Sequence, residues 1–342
     1  MPPPPSPTAH AVPSPPKLRR LPLALGTTVL GLSLASWYFL RPPSPKALDP
    51  ASYSPALITS HTHPTPRTSL LKLRLPSPSP PPEPFYVLWV KSPQVQIERP
   101  YTPLRGLEGE GGEEVELWVR HERGGEVSRY LSGRKVGEEV EVRGWTRSIQ
   151  WQDKDWDEVI MLSGGTGIAP FHQLLHHLFL SSPVPPQKTR FTLLHGSRSP
   201  SELPPPEILG PLAALQQRWP ERFRMRLFVD ELAGGPAVHS VGDERLLLNE
   251  RRIQLDDLLR AVDPPPPPRF RFLGRVMALL PPFMSPRQEE KPKRNKVLWL
   301  VSGPEEMVEA YAGPRARDLS EGEVGGVLGS MGTGKGWEVR KL

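Results

Sequence analysis

The chain has no cysteine among its 342 residues. That excludes a disulfide framework, a cysteine-ligated zinc, an iron–sulfur cluster and covalent haem attachment within the chain. If electrons leave this protein, they leave to a separate carrier. Acid is also missing from one region. Residues 1–48 hold Lys17, Arg19, Arg20, Arg41 and Lys46 with no Asp or Glu, so they supply all but one unit of the net charge of +6. The basic character therefore belongs to a leader and gives no nucleic-acid-binding face. Proline is the opposite case, with 47 residues against a usual share of roughly 5%. It clusters in 1–16, 76–84, 200–211, 264–268 and 281–292, which read as linkers and loop insertions. The length predicts two domains with ample core.

Leu21–Leu40 carries no charge over 20 residues, about what a hydrocarbon core of about 30 Å requires. Trp37 and Tyr38 suit an interface, and Arg41-Pro42-Pro43 stops a helix. The segment is long for a secretory h-region and ends in bulky aromatics instead of small residues. We expect a retained transmembrane helix over 21–40, after a basic proline-rich leader at 1–20 and before a linker at 41–51.

Residues 159–170 read Val-Ile-Met-Leu-Ser-Gly-Gly-Thr-Gly-Ile-Ala-Pro. An apolar strand here breaks into a turn of glycines and opens onto a helix. Phe171, Leu174, Leu175, Leu178 and Phe179 give that helix its apolar stripe. Such a turn brings bare backbone close to a ligand and aims the unpaired N–H groups of a helix start at an anion. Upstream, Arg99-Pro100-Tyr101-Thr102 sits among predicted strands at Ser69–Leu75, Phe85–Lys91 and Val115–Arg120. A turn at Gly125-Glu126-Val127-Ser128 and a last strand within 136–144 follow. Downstream, strands at Arg190–His195, Arg222–Val229 and Val297–Val301 alternate with helical stretches, ending in a helix over Glu305–Ala312. That pattern predicts a mostly parallel sheet with its ligand at the carboxyl edge. His172 and His176 lie four apart with His177 beside them, but no further ligand is spaced to join them, so we assign no metal. Gly329–Lys335 imitates a phosphate loop, yet Gly336 stands where a magnesium-binding hydroxyl is needed.

The three blocks at 99–104, 159–170 and 301–307, in that order, resemble the ferredoxin reductase superfamily and its cytochrome b5 reductase branch. The resemblance covers roughly residues 52–342. It implies a β plus α/β fold: an antiparallel FAD-binding barrel at 52–150, then a nicotinamide-binding α/β domain at 155–342 with a proline-rich insertion at 264–296. On that resemblance, FAD is held by Arg99, Pro100, Tyr101, Thr102, Arg120, Gly125, Val127 and Ser128. NADH or NADPH is held by Gly164, Gly165, Thr166, Gly167, Ser197, Arg198, Ser302, Gly303, Pro304 and Met307. Hydride passes to the flavin N5, with Thr102 and Ser302 as the nearest side chains and no side-chain acid or base required. Two positions depart from the family pattern. Ser302 stands where a cysteine is common, and Gly144-Trp145-Thr146-Arg147 replaces a Gly-Pro-x-Gly junction. Ser197-Arg198 could grip a 2′-phosphate, which leaves the choice of nicotinamide open.

The resemblance extends to one fungal group of mitochondrial inner-membrane flavoproteins that support haem attachment to cytochrome c. It rests on 96–104, Ser201–Pro205 and the ending Trp337–Leu342. It implies a haem-protein or haem-attachment partner, with the catalytic part facing the intermembrane space. The alternatives are a cytochrome b5 reductase of the outer mitochondrial or endoplasmic reticulum membrane, and a non-catalytic nucleotide-binding module.

Overall fold

The computed structural model describes residues 48–76, 84–104, 113–151, 156–182, 186, 188–262, 296–316, 320–332 and 336–342. The leader, the apolar stretch 21–40 and nearly all of the 264–296 insertion lie outside them. Among the described residues, no helix is long and apolar enough to cross a membrane.

The first half is an antiparallel sheet of six strands. They are β1 (Ser54–Thr65), β2 (Thr68–Arg74), β3 (Tyr86–Ser92), β4 (Ile97–Tyr101), β5 (Glu114–Arg120) and β6 (Glu139–Arg147), with helix α1 (Glu126–Ser132) between β5 and β6. The spatial order is β4-β3-β6-β1-β2-β5. Beyond β4, Pro103 bridges to Leu117 of β5, so the two edges of the sheet meet there. Alternation drives the packing. Tyr86, Leu88 and Val90 of β3 are buried while Val87 and Trp89 between them are only partly covered, the period-two pattern of a sheet with one dry face. The inward residues of β1, β2, β5 and β6 complete that core with Val127 and Leu131 of α1. β1 escaped the sequence reading because SPALITSHTHPT interleaves Pro, His and Thr with its two buried apolar residues, Ala56 and Ile58.

The second half is a seven-stranded sheet. Its strands are β7 (Glu158–Gly164), β8 (Arg190–Ser197), β9 (Phe223–Val229), β10 (Val238–Val241), β11 (Glu244–Glu250), β12 (Val297–Ser302) and β13 (Trp337–Lys341). Helices α2 (Ala169–Leu175), α3 (Pro206–Arg218), α4 (Leu255–Val262), α5 (Glu305–Ala312) and α6 (Gly326–Ser330) connect them. The order is β10-β11-β9-β8-β7-β12-β13, parallel apart from the β10–β11 hairpin. β7 is an unbroken buried run because both faces are covered. Val159 and Met161 enter one core with α2 and α3, while Ile160 and Leu162 enter a second with α4, α5 and α6. The expected helix through Leu180 divides: α2 ends at Leu175, and His176–Leu180 widens into one π-helical turn. Ser181 N–H closes it on the His176 carbonyl at 2.9 Å. The last residues Trp337–Lys341, which the sequence reading left without structure, pair in parallel with β12.

The two halves are joined through α2. Gln173, 2% exposed, accepts from the N–H groups of Phe85 and Tyr86 at 2.7 and 3.1 Å. Its amide donates to the carbonyls of Pro103 and Tyr86 at 2.9 and 3.3 Å. His172, one residue before it, donates Nδ1–H to the Leu104 carbonyl at 2.6 Å. Removing Gln173 strands several buried backbone groups, each costing about 1–3 kcal/mol. Gln173→Leu should therefore lower the melting temperature by about 4 °C or more. A thermal-unfolding midpoint within about 1 °C of the parent would refute this account of the junction.

Candidate functional site

Strand order reverses between β7 and β12: the chain runs β7, β8, β9 to one side and then returns to lay β12 and β13 on the other. A doubly wound sheet opens a crevice at such a point, beyond the carboxyl ends of its strands. Here two turns meet. One follows β7 through Gly164-Gly165-Thr166-Gly167, a single 3-10 turn leading into α2. The other follows β12 through Ser302-Gly303-Pro304 into α5.

Their packing accounts for the glycines. A Cβ on Gly167 would lie 2.4 Å from the Ser302 carbonyl oxygen, and one on Gly164 would lie 2.5 Å from the Met307 sulfur. Gly165 has φ +52° and Gly303 φ +159°, conformations that side chains rarely adopt. Gly167 is thus required by the backbone of the neighbouring turn, while Gly164 packs against the Met307 side chain of α5. Gly165 remains, with Arg120 Nη1 3.3 Å from where its Cβ would be.

The crevice widens into one continuous cleft of about 1390 Å³ running between the two sheets. Every candidate residue from the sequence lines it. Arg99, Pro100, Tyr101 and Thr102 come from β4 and its end. Arg120 comes from the end of β5, and Gly125, Val127 and Ser128 from the start of α1. Gly164, Gly165, Thr166 and Gly167 form the floor at β7, with Ser302, Gly303, Pro304 and Met307 beside them. Ser197 and Arg198 stand at the end of β8. The residues at the replaced junction also take part: β6 continues extended through Arg147, and Thr146, Arg147 and Ser148 line the cleft. Thr146 Oγ1 accepts from Trp89 Nε1 at 3.1 Å.

The donors on the β side suit a pyrophosphate. The first N–H groups of α1 have no partner within their helix. The Ser128 hydroxyl, however, serves the turn: it donates to the Gly125 carbonyl at 3.0 Å and accepts from Glu122 N–H at 3.3 Å. Arg120 is braced by Glu122 at 3.1 Å and by Glu202 of the other half at 3.0 Å. Arg99 lies exposed on the edge strand, its guanidinium 2.8 Å from the Glu98 carbonyl. Burial pushes the Tyr101 phenol up to about 12, against the opposing charge of Arg99, so it stays protonated and able to donate. A cleft with two guanidiniums, a helix start, a phenol and the Thr102 hydroxyl on one side fits a flavin dinucleotide.

Sequence reasoning missed the far end. Asp230 follows β9 and lines the cleft with Arg251 and Arg252. Arg252 pairs with Asp230 at 3.4 Å. Arg251 is held from behind by Asp257, whose carboxylate also meets Arg226 at 2.8 Å. Burial opposes ionisation of Asp257, but the hydrogen bonds from Arg251 and Gln254 and the two positive charges bring it down to about 2. The rule that ligands meet the carboxyl ends of successive strands would have singled out Asp230. Arg251 likewise follows the carboxyl end of a parallel strand, β11, but that strand was not among those predicted from the sequence, so the rule had nothing to act on.

The sequence and fold agree with known proteins. Residues 55–151 match the oxidoreductase FAD-binding domain and residues 161–238 the oxidoreductase NAD-binding domain. The chain therefore carries an oxidoreductase FAD-binding domain followed by an oxidoreductase NAD-binding domain. It is homologous to NADH-cytochrome b5 reductase 2 of fungi. Against the Kluyveromyces lactis protein it is 25% identical over 239 residues, covering 69% of this chain and 64% of that one. Against the Saccharomyces cerevisiae protein it is 27% identical, covering 70% and 65%. The match thus spans slightly under two thirds of those relatives' length. Among solved structures, the cytochrome b5 reductase domain of Ulva prolifera nitrate reductase superposes with a TM-score of 0.60 at 19% identity, covering 86% of this chain and 99% of that one. A ferredoxin NADP+ reductase from Neisseria gonorrhoeae with bound FAD and NADP gives 0.54 at 16%, covering 84% and 98%. These share the fold.

Overpacking costs about 1–3 kcal/mol and occasionally more. Gly167→Ala, which drives a methyl into the Ser302 backbone, should destabilise the protein by at least that much in chemical denaturation. An unchanged denaturation midpoint would mean that the two turns are not in contact.

Proposed function

We propose that the protein takes a hydride from NADH or NADPH onto a bound FAD and passes electrons singly to a haem-protein acceptor. The flavin, when bound, supplies the conversion between two-electron and one-electron transfer. The chain supplies position. Arg99, Arg120 and the start of α1 would hold the flavin pyrophosphate, with Tyr101 and Thr102 positioned to meet its ring system. Gly164–Gly167 and Ser302–Pro304 seat the nicotinamide against it, while Ser197, Arg198 and Asp230 receive its adenosine end. One observation carries this reading: residues from three blocks scattered over 200 positions of sequence, Arg99 to Met307, line a single cleft at the switch point.

For the physiological role we propose a membrane-anchored enzyme of the mitochondrial inner membrane, held by residues 21–40. Its catalytic part would face the intermembrane space and support haem attachment to cytochrome c. The charge-free stretch of 20 residues and the fungal resemblance support this. A second reading, an NADH-cytochrome b5 reductase of the outer mitochondrial or endoplasmic reticulum membrane, is favoured by the names of the homologous fungal proteins.

The test is the visible spectrum of the purified full chain under anaerobic conditions, before and after NADH or NADPH. A yellow protein that bleaches supports the reading, and Arg99→Ala should weaken FAD retention by about tenfold through loss of a charged hydrogen bond. A colourless protein that takes up no added FAD would sink it. Among colour-competent outcomes, rapid electron delivery to cytochrome b5 favours the second role. Poor delivery with an intermembrane-space location favours the first.

A further inference from the structure

His195 is fully buried in β8, beneath the floor of the cleft. Its two ring nitrogens link two strand ends. Nδ1 lies 2.8 Å from the Ser163 hydroxyl at the end of β7, and Nε2 lies 3.1 Å from the Ser197 hydroxyl at the end of β8. Ser197 in turn donates to the Glu202 carbonyl at 3.3 Å. Burial pushes the imidazole down to about 3, so the ring is neutral throughout the working range.

A neutral imidazole has one N–H and one lone pair, which limits how the chain of hydrogen bonds can run. If Nε2 carries the proton, Ser163 donates to Nδ1, Nε2–H donates to Ser197, and Ser197 donates to Glu202. Every group is then satisfied. If Nδ1 carries it, Ser197 must give its proton to Nε2. Among the described residues the buried Ser163 hydroxyl then has no acceptor. In both cases the one proton of Ser197 points inward, and only lone pairs are left for the cleft. The end of the second parallel strand is where a nucleotide ribose is met.

We propose that His195 is a positioning residue that, together with the Glu202 carbonyl, sets nucleotide specificity: the imidazole fixes the Ser197 hydroxyl against the carbonyl that takes its proton, leaving it a hydrogen-bond acceptor matched to a ribose 2′-hydroxyl and mismatched to a 2′-phosphate, which needs donors. This rests on the nucleotide-binding reading above and deepens it. It also revises the sequence expectation that Ser197 and Arg198 together grip a 2′-phosphate, leaving Arg198 as the sole donor of that pair. The effect acts through Ser197, since His195 itself does not line the cleft.

The two amide replacements separate the two ends of the imidazole. Asn at 195 keeps a polar group near the Nδ1 position, towards Ser163, and loses the one facing Ser197. Gln keeps a donor near the Nε2 position. The measurement is calorimetric binding of ADP-ribose and 2′-phospho-ADP-ribose to the FAD-loaded full chain, expressed as the ratio of the two dissociation constants. The parent should prefer ADP-ribose. His195→Asn and Ser197→Ala should each move the ratio towards the phosphorylated ligand by about tenfold, the worth of roughly one hydrogen bond. His195→Gln should hold the ratio within about twofold. A His195→Asn ratio equal to the parent's, with both ligands still bound, overturns the proposal and leaves the nucleotide-binding reading intact. A parent that prefers 2′-phospho-ADP-ribose overturns it in the same way. A parent that binds neither ligand removes the nucleotide-binding reading itself, and the proposal with it.

Discussion

Gln173 is the constraint on which the rest of the molecule turns. Its amide is a small group with two donors and an acceptor, and all of them are directed at backbone of the antiparallel sheet. Because those partners are main-chain atoms at the start of β3 and just after β4, they hold whole strands in place. β4 is an edge strand, paired only with β3. Without the brace just past its end, Arg99, Tyr101 and Thr102 would sit on a strand with one neighbour. With it, they face the glycine turn that opens the same helix on which Gln173 sits. One helix thus fixes both walls of the cleft.

Electrostatics divides that cleft lengthwise. Near the antiparallel sheet, Arg120 is held in place by ion pairs with Glu122 and Glu202. At the far end Arg251 is braced by a buried carboxylate, while Arg252 is largely exposed and loosely paired with Asp230. Exposed pairs of that kind contribute little to stability. Their consequence lies in the potential that a charged ligand meets. Between these ends the floor is formed by Gly164, Gly165, Thr166 and Gly167, with Ser302, Gly303 and Pro304 beside them.

Much of this was legible in the sequence, for identifiable reasons. The strand–turn–helix at 159–175 announces itself because both faces of β7 are buried, which demands a continuous apolar run ending where the sheet ends. Glu305–Ala312 was placed with its observed boundaries: Pro304, extended at ψ 144°, caps its start and Gly313, at φ +87°, follows its last residue. β1 stayed hidden because only alternate residues are buried and the outward ones are His, Thr and Pro. β13 was missed because five residues at a chain end carry too little pattern to register. In the cleft, most of the residues found lie on turns following predicted strands, since strand ends point to ligands by rule. Arg251 follows β11, a strand that was not predicted, so its address could not be read. The role of His195 needed atomic distances, because a histidine inside an apolar strand reads the same whether it fills space or directs a hydroxyl.

The parallel sheet also has an edge remote from the cleft. There Lys296, just before β12, is tied to Asp157, just before β7, by two hydrogen bonds of 2.8 and 3.0 Å, and its carbonyl also accepts from Glu158 N–H at 3.2 Å. β12 therefore enters the sheet from a clasp at the amino ends of its strands, on the opposite side from the glycine turn. Its register against β7 is pinned at the end where the strands begin, one strand length away from the turns that line the cleft.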